Sequence, residues 1–295
     1  MQTPTSSAVD LSEGHFPTAL HWRCPCHGGR RQFLQALVAG GCATATGGAL
    51  AQVEVGSASG LRNLVPAEKL EGAATQQYQE LLQQARAQKA LAGSNHPQLQ
   101  RLRAMAQRLI PFAPQWNARA TQWRWEVNLI GSKEINAFCM PGGKIAFFTG
   151  ILDRLKLTDE EAAMVMGHEM AHALREHSRE QLAKNSATSI GLSLGAQLLG
   201  LGDLGNMAAK MGAQLLSLRF SRSDETEADL VGLELAARAG YNPQAAVSLW
   251  QKMGQATGQG GIGFLSTHPT GPDRIRELER NIPRVQSLYE AARRR

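Results

Sequence analysis

Two histidines four residues apart with a glutamate after the first, His168-Glu169-Met170-Ala171-His172, form the segment of this chain best equipped for chemistry. On a helix that spacing puts both imidazoles on one face, a turn apart, with the carboxylate angled toward the same pocket. Two nitrogen ligands and a general base are what a zinc site that hydrolyses peptide bonds requires. Only about one random sequence of this length and composition in a hundred would carry the pattern, which makes chance a poor explanation. A catalytic zinc takes three protein ligands and keeps one position open. For the third, Ser221-Arg222-Ser223-Asp224-Glu225-Thr226-Glu227-Ala228-Asp229 offers Glu225 and Asp229, four apart and on one helical face. One of the two can hold the metal while the other accepts the free ring N–H of a ligating histidine. Glu227 points away from both. One zinc per chain is the expected cofactor.

The elements that must position these groups are legible around them. Thr158-Asp159-Glu160-Glu161 reads as a capping box opening the motif helix, which is expected to run to about Lys184. On such a helix His177 faces elsewhere than His172 and is expected to be structural or exposed. A second helix is predicted from near Ser223 to Gly240, and another from Asn242-Pro243 through Lys252. Upstream, residues 66–110 show helical periodicity broken near Asn95-His96-Pro97, which gives two helices. Trp123 to Ile130 alternates like a strand, and Ile135–Met140 and Lys144–Thr149 flank Pro141-Gly142-Gly143, a hairpin signal. Residues 186–218, rich in Gly, Leu and Ala, suggest a helical hairpin or lid over the site. A glycine-rich loop, Gly254 to Gly263, leads to Ser266-Thr267-His268-Pro269. The fold class is α+β, predominantly helical, with a small β-sheet and hairpin.

Composition is that of an ordinary globular protein: 295 residues, 43% hydrophobic and 19% charged, net charge +6. The basic residues are dispersed except for Arg293-Arg294-Arg295, which a solvated helix end explains better than nucleic-acid binding, so no nucleic acid is expected as a partner. Arg30-Arg31-Gln32-Phe33-Leu34, the apolar Ala36 to Gly41 and Ala49-Leu50-Ala51 read as a twin-arginine export signal over residues 1–51. Cleavage there would leave one domain, 52–295, with N-terminal helices over 52–115 and a catalytic core over 120–280. It would also remove Cys24, Cys26 and Cys42, leaving Cys139 alone without a disulfide. Ala39-Gly40-Gly41-Cys42 has the outline of a lipoprotein box, so a lipid anchor at Cys42 is the alternative to a free periplasmic chain.

HExxH followed by SRxxExEAD, then STHP before Arg274-Ile275, resembles family forty-eight of the metallopeptidases, the group of HtpX, BepA, LoiP and the type-one CAAX prenyl protease. The likeness is nearest to the small exported LoiP-like members. HtpX and the prenyl protease are integral membrane enzymes, and BepA adds a tetratricopeptide domain. The resemblance implies a gluzincin zinc-metallopeptidase core with zinc held by His168, His172 and Glu225, Glu169 as catalytic base and Asp229 as orienting carboxylate. Asn136-Ala137-Phe138 is similar to the edge strand with which gluzincins such as thermolysin bind a substrate backbone by strand addition. In BepA-like relatives the histidine matching His268 approaches the metal, which implies either a reversible fourth ligand or a donor to the tetrahedral oxyanion. The activity implied is a zinc-dependent endopeptidase of the bacterial envelope, hydrolysing peptide bonds of misfolded or unassembled proteins. Its partners would be polypeptide substrates, with peripheral association at the outer membrane. A chaperone-like binder that holds unfolded envelope chains and rarely cuts them is the rival from another class.

Overall fold

Among the described residues, three strands and two closely crossing helices carry the architecture. The computed structural model describes residues 53–187, 215–256, 263–268 and 272–294. The expected export signal over 1–51, with Arg30, Arg31 and Cys42, lies outside the described residues. So do most of the expected lid over 186–218 and much of the glycine-rich loop.

Helices α1 (Ala67–Ala87) and α2 (Pro97–Leu109) precede the sheet of β1 (Glu126–Ile130), β2 (Ala137–Met140) and β3 (Lys144–Phe148). After it come α3 (Thr149–Arg154), α4 (Asp159–Leu174), α5 (His177–Ala187), α6 (Arg222–Arg238), α7 (Ala245–Ala256), α8 (Gly263–Thr267) and α9 (Pro272–Arg293). The strand order is β1-β3-β2, with β1 parallel and β2 antiparallel to β3, so β2 is an edge. Met140 pairs with Lys144 across the expected hairpin. Its turn needs positive φ at Gly142 (84°) and Gly143 (77°), which glycine adopts without a Cβ penalty. The first strand begins at Glu126 rather than Trp123. Both tryptophans before it are turned inward, Trp123 Nε1 donating to Glu71 Oε1 (3.0 Å) and Trp125 Nε1 to the Ala120 carbonyl (3.2 Å).

Helix α4 opens on the expected capping box: Thr158 accepts from the Glu161 N–H, and Glu161 accepts from that of Thr158. Every residue from Glu161 to Leu174 is buried, so this is a helix enclosed on all sides rather than an amphipathic one. Side chains such as Val165, Met166 and Met170 each contribute about 1.5–3 kcal/mol by their burial. Helix α6 has its own capping box, Ser221 with Asp224, and packs against α4. The two backbones meet where Gly167 faces Gly232. A Cβ on Gly167 would stand 2.7 Å from the Gly232 carbonyl oxygen.

The motif helix does not continue to Lys184. It ends at Leu174, Glu176 takes a φ of 61°, and α5 starts afresh at His177. Among the described residues no helix is long and apolar enough to cross a membrane.

Candidate active site

Because α4 is buried along its length and α6 crosses it at the glycine pair, His168, His172 and Glu225 converge in the interior. The Nε2 atoms of His168 and His172 lie 3.1 Å apart. Glu225 Oε2 is 3.5 Å from His168 Nε2, and its Oε1 is 3.6 Å from His172 Nε2. Just past the end of the short helix α8, His268 brings Nδ1 to 2.9 Å from Glu225 Oε1 and 3.3 Å from His168 Nε2. One candidate ligand atom from each of the four residues falls within 4.8 Å of all the others, and all four are buried. Three imidazoles and a carboxylate form a donor set that suits zinc. Beside them, Glu169 Oε1 is buried without a hydrogen-bond partner among the described residues and lies 3.6 Å from His268 Nε2. A buried carboxylate oxygen left unpaired next to a ligand cluster fits a base waiting for a water proton.

The rings are held from behind. His168 Nδ1 lies 3.0 Å from Asp229 Oδ1. Asp229 is in turn gripped by Arg274, whose Nε and NH2 donate at 2.7 and 2.8 Å, while NH1 of the same guanidinium reaches Glu225 Oε2 at 2.7 Å. The Arg274 guanidinium also lies over the Trp250 ring, 3.6 Å from its centroid. Phe220 stacks on His172 (centroids 4.0 Å) and Phe264 on His268 (4.4 Å). Burial alone would lower His168, but Asp229 and Glu225 outweigh it and hold the imidazole up to about 9. Burial likewise pushes Glu225 and Asp229 upward. The partners of each prevail: His168 and His268 hold Glu225, and Arg274 with His168 holds Asp229, below the usual carboxylate range. For Glu169 and His172 burial wins, raising the first and lowering the second well below an ordinary imidazole.

The cleft in front of the cluster is lined by Asn136, Ala137 and Phe138 together with Glu169, His172 and His268. The expected substrate-binding segment therefore runs beside the donor set, on the edge of β2 that pairs with no further strand among the described residues. Asn136 is itself engaged, accepting from the Ala137 N–H (2.9 Å) and donating to Glu134 Oε1 (3.0 Å). The Phe264 N–H donates to the Ile135 carbonyl (3.0 Å), which ties the His268 segment to the same edge.

Sequence reasoning passed over three participants. Arg274 stands inside the motif but gave no sign of gripping two carboxylates. Glu227 stays out of the ligand cluster, as expected, yet it pairs with Arg175 and lies 3.3 Å from His177 Nε2. His177 is not exposed: it is 1% accessible, and its Nδ1 lies 2.9 Å from His172 Nδ1. The signal that could have found it, a helix break at Glu176, has neither Gly nor Pro to announce it.

The profile of peptidase family M48 matches residues 71–282. The chain is 42% identical to the mitochondrial metalloendopeptidase OMA1 of Schizosaccharomyces pombe over 172 residues, 57% of this chain and 50% of that protein. It is 43% identical to the Arabidopsis thaliana protein of the same name over 154 residues, 52% of this chain and 31% of the relative. Against the metalloprotease LoiP of Escherichia coli it is 27% identical over 155 residues, 50% of this chain and 58% of the relative. The chain thus spans about half the length, or less, of the OMA1 relatives it matches.

Proposed function

The chain belongs to peptidase family M48, and from that membership and the geometry of its cluster we propose that it is a zinc-dependent endopeptidase of the bacterial envelope, cutting misfolded or unassembled proteins. The observation that carries the proposal is the buried set His168, His172 and Glu225 with the unpaired Glu169 oxygen beside it. When bound, zinc would supply a Lewis-acidic centre for water and for the scissile carbonyl. The protein's own residues do the rest. Glu169, kept from bulk water by burial, takes the proton of the attacking water and returns it to the leaving amine. The edge of β2 at Asn136, Ala137 and Phe138 lays an extended substrate across the cleft through main-chain hydrogen bonds, which favour unfolded chains without strict sequence choice. Asp229, clamped by Arg274, holds His168 in one tautomer.

The envelope setting is supported by the twin-arginine pattern at Arg30-Arg31, with a lipid anchor at Cys42 as its variant. His268 adds a regulatory reading. Its Nδ1 lies among the ligand atoms, an approach that favours a fourth, reversible ligand over an oxyanion donor.

Digestion of unfolded casein tests the activity. Wild-type protein should cleave, while chelator treatment and Glu169→Gln should each abolish cleavage, the variant losing on the order of a hundredfold or more with its zinc retained. Binding of casein without cleavage by the wild type would establish the chaperone-like rival.

A further inference from the structure

The two imidazoles of α4 turn their Nε2 atoms toward the cluster and their Nδ1 atoms away from it, and each Nδ1 meets a different kind of partner. For His168 the partner is the Asp229 carboxylate. For His172 it is a second imidazole, His177, with 2.9 Å between the two Nδ1 atoms. Behind His177 stands Glu227, its Oε2 3.3 Å from His177 Nε2 and its Oε1 paired with Arg175. The backbone is bent to make this possible. An uninterrupted helix would place His177 about 140° around the axis from His172. The left-handed turn at Glu176, a residue with no glycine freedom, instead returns His177 to the back of the His172 ring. Non-glycine residues hold such a conformation only where surrounding contacts enforce it. Here Arg62 and Arg179 both pair with the Glu176 carboxylate.

The proton arrangement follows from the chemistry. A nitrogen that gives its lone pair to a metal cannot carry a proton, so a ligating His172 Nε2 requires the proton on Nδ1. That proton can only be donated to His177 Nδ1, which must then be bare. His177 therefore carries its own proton on Nε2, where Glu227 accepts it. One tautomer pattern satisfies every contact in the chain Glu227–His177–His172.

We propose that His177, backed by Glu227, is a positioning residue for the metal site: it fixes the tautomer and ring orientation of His172 so that the Nε2 lone pair faces the cluster. It does for His172 what Asp229 and Arg274 do for His168, through a neutral ring instead of a carboxylate. The proposal rests on the zinc reading of the cluster. A packing role alone would require only the volume of the ring against Phe220, whereas positioning requires a hydrogen-bond acceptor facing His172 Nδ1.

That difference sets the experiment. His177→Phe keeps a ring and removes the acceptor, while His177→Asn places an oxygen near where Nδ1 stands. Zinc affinity is measured by competition with a chromogenic chelator. The visible spectrum of the cobalt-loaded protein and the thermal midpoint of the metal-free protein are recorded alongside. His177→Phe should bind zinc about ten- to a hundredfold more weakly and shift the cobalt bands, with the metal-free midpoint little changed. His177→Asn should recover most of the affinity and the wild-type bands. Glu227→Ala, which leaves the buried ring in place, should weaken zinc by less than His177→Phe and serves as the test should that variant misfold. Wild-type affinity in either His177→Phe or Glu227→Ala would overturn the proposal, as would an Asn variant no better than Phe. A wild-type protein that binds no zinc would instead refute the metal reading, and positioning with it.

Discussion

The approach of α4 to α6 at Gly167 and Gly232 predicts an unusually large effect from a single methyl group. A Cβ on Gly232 would lie 2.6 Å from His168 N, 2.8 Å from Gly167 C and 2.9 Å from His168 Cα. All three are backbone atoms, so no rotamer change can relieve the clash. Restoring an ordinary contact of 3.4 Å requires the helices to part by about 0.8 Å. His168 and His172 stand on one of these helices and Glu225 on the other, two turns from Gly232. Zinc–ligand distances tolerate only about 0.2 Å, so the separation would exceed what the ligand set can absorb by roughly fourfold. Overpacking of this kind costs about 1–3 kcal/mol. In a domain of this size that corresponds to a fall of roughly 2–12 °C in thermal midpoint. Gly232→Ala should therefore lower the midpoint of the metal-free protein in calorimetry and weaken zinc at least tenfold, on the scale of lost support around a ligand. Gly72, on the exposed face of α1, is the control: its Cβ would meet nothing within 4 Å, so Gly72→Ala should stabilise by about 0.5–1 kcal/mol. A Gly232→Ala protein with wild-type midpoint and zinc affinity would refute the argument that this backbone contact sets the ligand geometry.

Glu225→Ala should lose zinc and activity together, whereas Asp229→Asn should keep a weakened metal, down about ten- to a hundredfold; equal behaviour of the two would reverse their assignments. Burial acts to raise the Glu161 carboxyl, but Lys252, the Thr158 backbone and Ser248 hold it below its ordinary 4.5. Its contribution to stability is thus complete above that unfolded value and lost as pH falls through the depressed one, so Glu161→Gln should flatten the acid limb of thermal midpoint against pH. An acid limb of unchanged slope would count against it. His268→Ala should raise basal casein cleavage and self-digestion at equal zinc content if the ring closes the fourth position. A fall of roughly a hundred- to a thousandfold would mark it as an oxyanion donor instead.

What could be read from the sequence was whatever local spacing encodes. His168 with His172, and Glu225 with Asp229, are i and i+4 pairs whose shared face follows from helix geometry alone. The Thr158 capping box and the Pro141-Gly142-Gly143 turn carry their conformations in residue type. What escaped depends on tertiary contacts. Residues 171–184 contain no Gly or Pro and read as one helix, yet Glu176 takes the left-handed region and ends it, its carboxylate paired with the distant Arg62 and with Arg179 one turn further on. His177 was misread because its direction is set by that break, not by its place in a periodic pattern. Arg274 is similar: three of its contacts, Asp229, Glu225 and Trp250, come from other helices that sequence alone could not bring to it. The start of β1 moved to Glu126 for the same kind of reason, because Trp123 and Trp125 found hydrogen-bond acceptors off the strand.

The buried charges point to one kind of occupant. Asp229 and Glu225 share a single guanidinium, Arg274, and Glu169 adds a third carboxyl a few ångströms away. With all three ionised the pocket carries two negative charges more than its own arginine can balance, a cost few interiors bear without a partner. The elevation of His168 to about 9 expresses the same imbalance: these carboxylates draw positive charge to whichever group can supply it. A divalent cation bound through the neutral Nε2 atoms would match the surplus and take that role from the proton. It would also act on Glu169, whose carboxyl burial pushes upward. A nearby cation returns it toward the ionised form a general base must have. In the proposed mechanism the metal and the base are therefore coupled through electrostatics as well as through spacing on the helix.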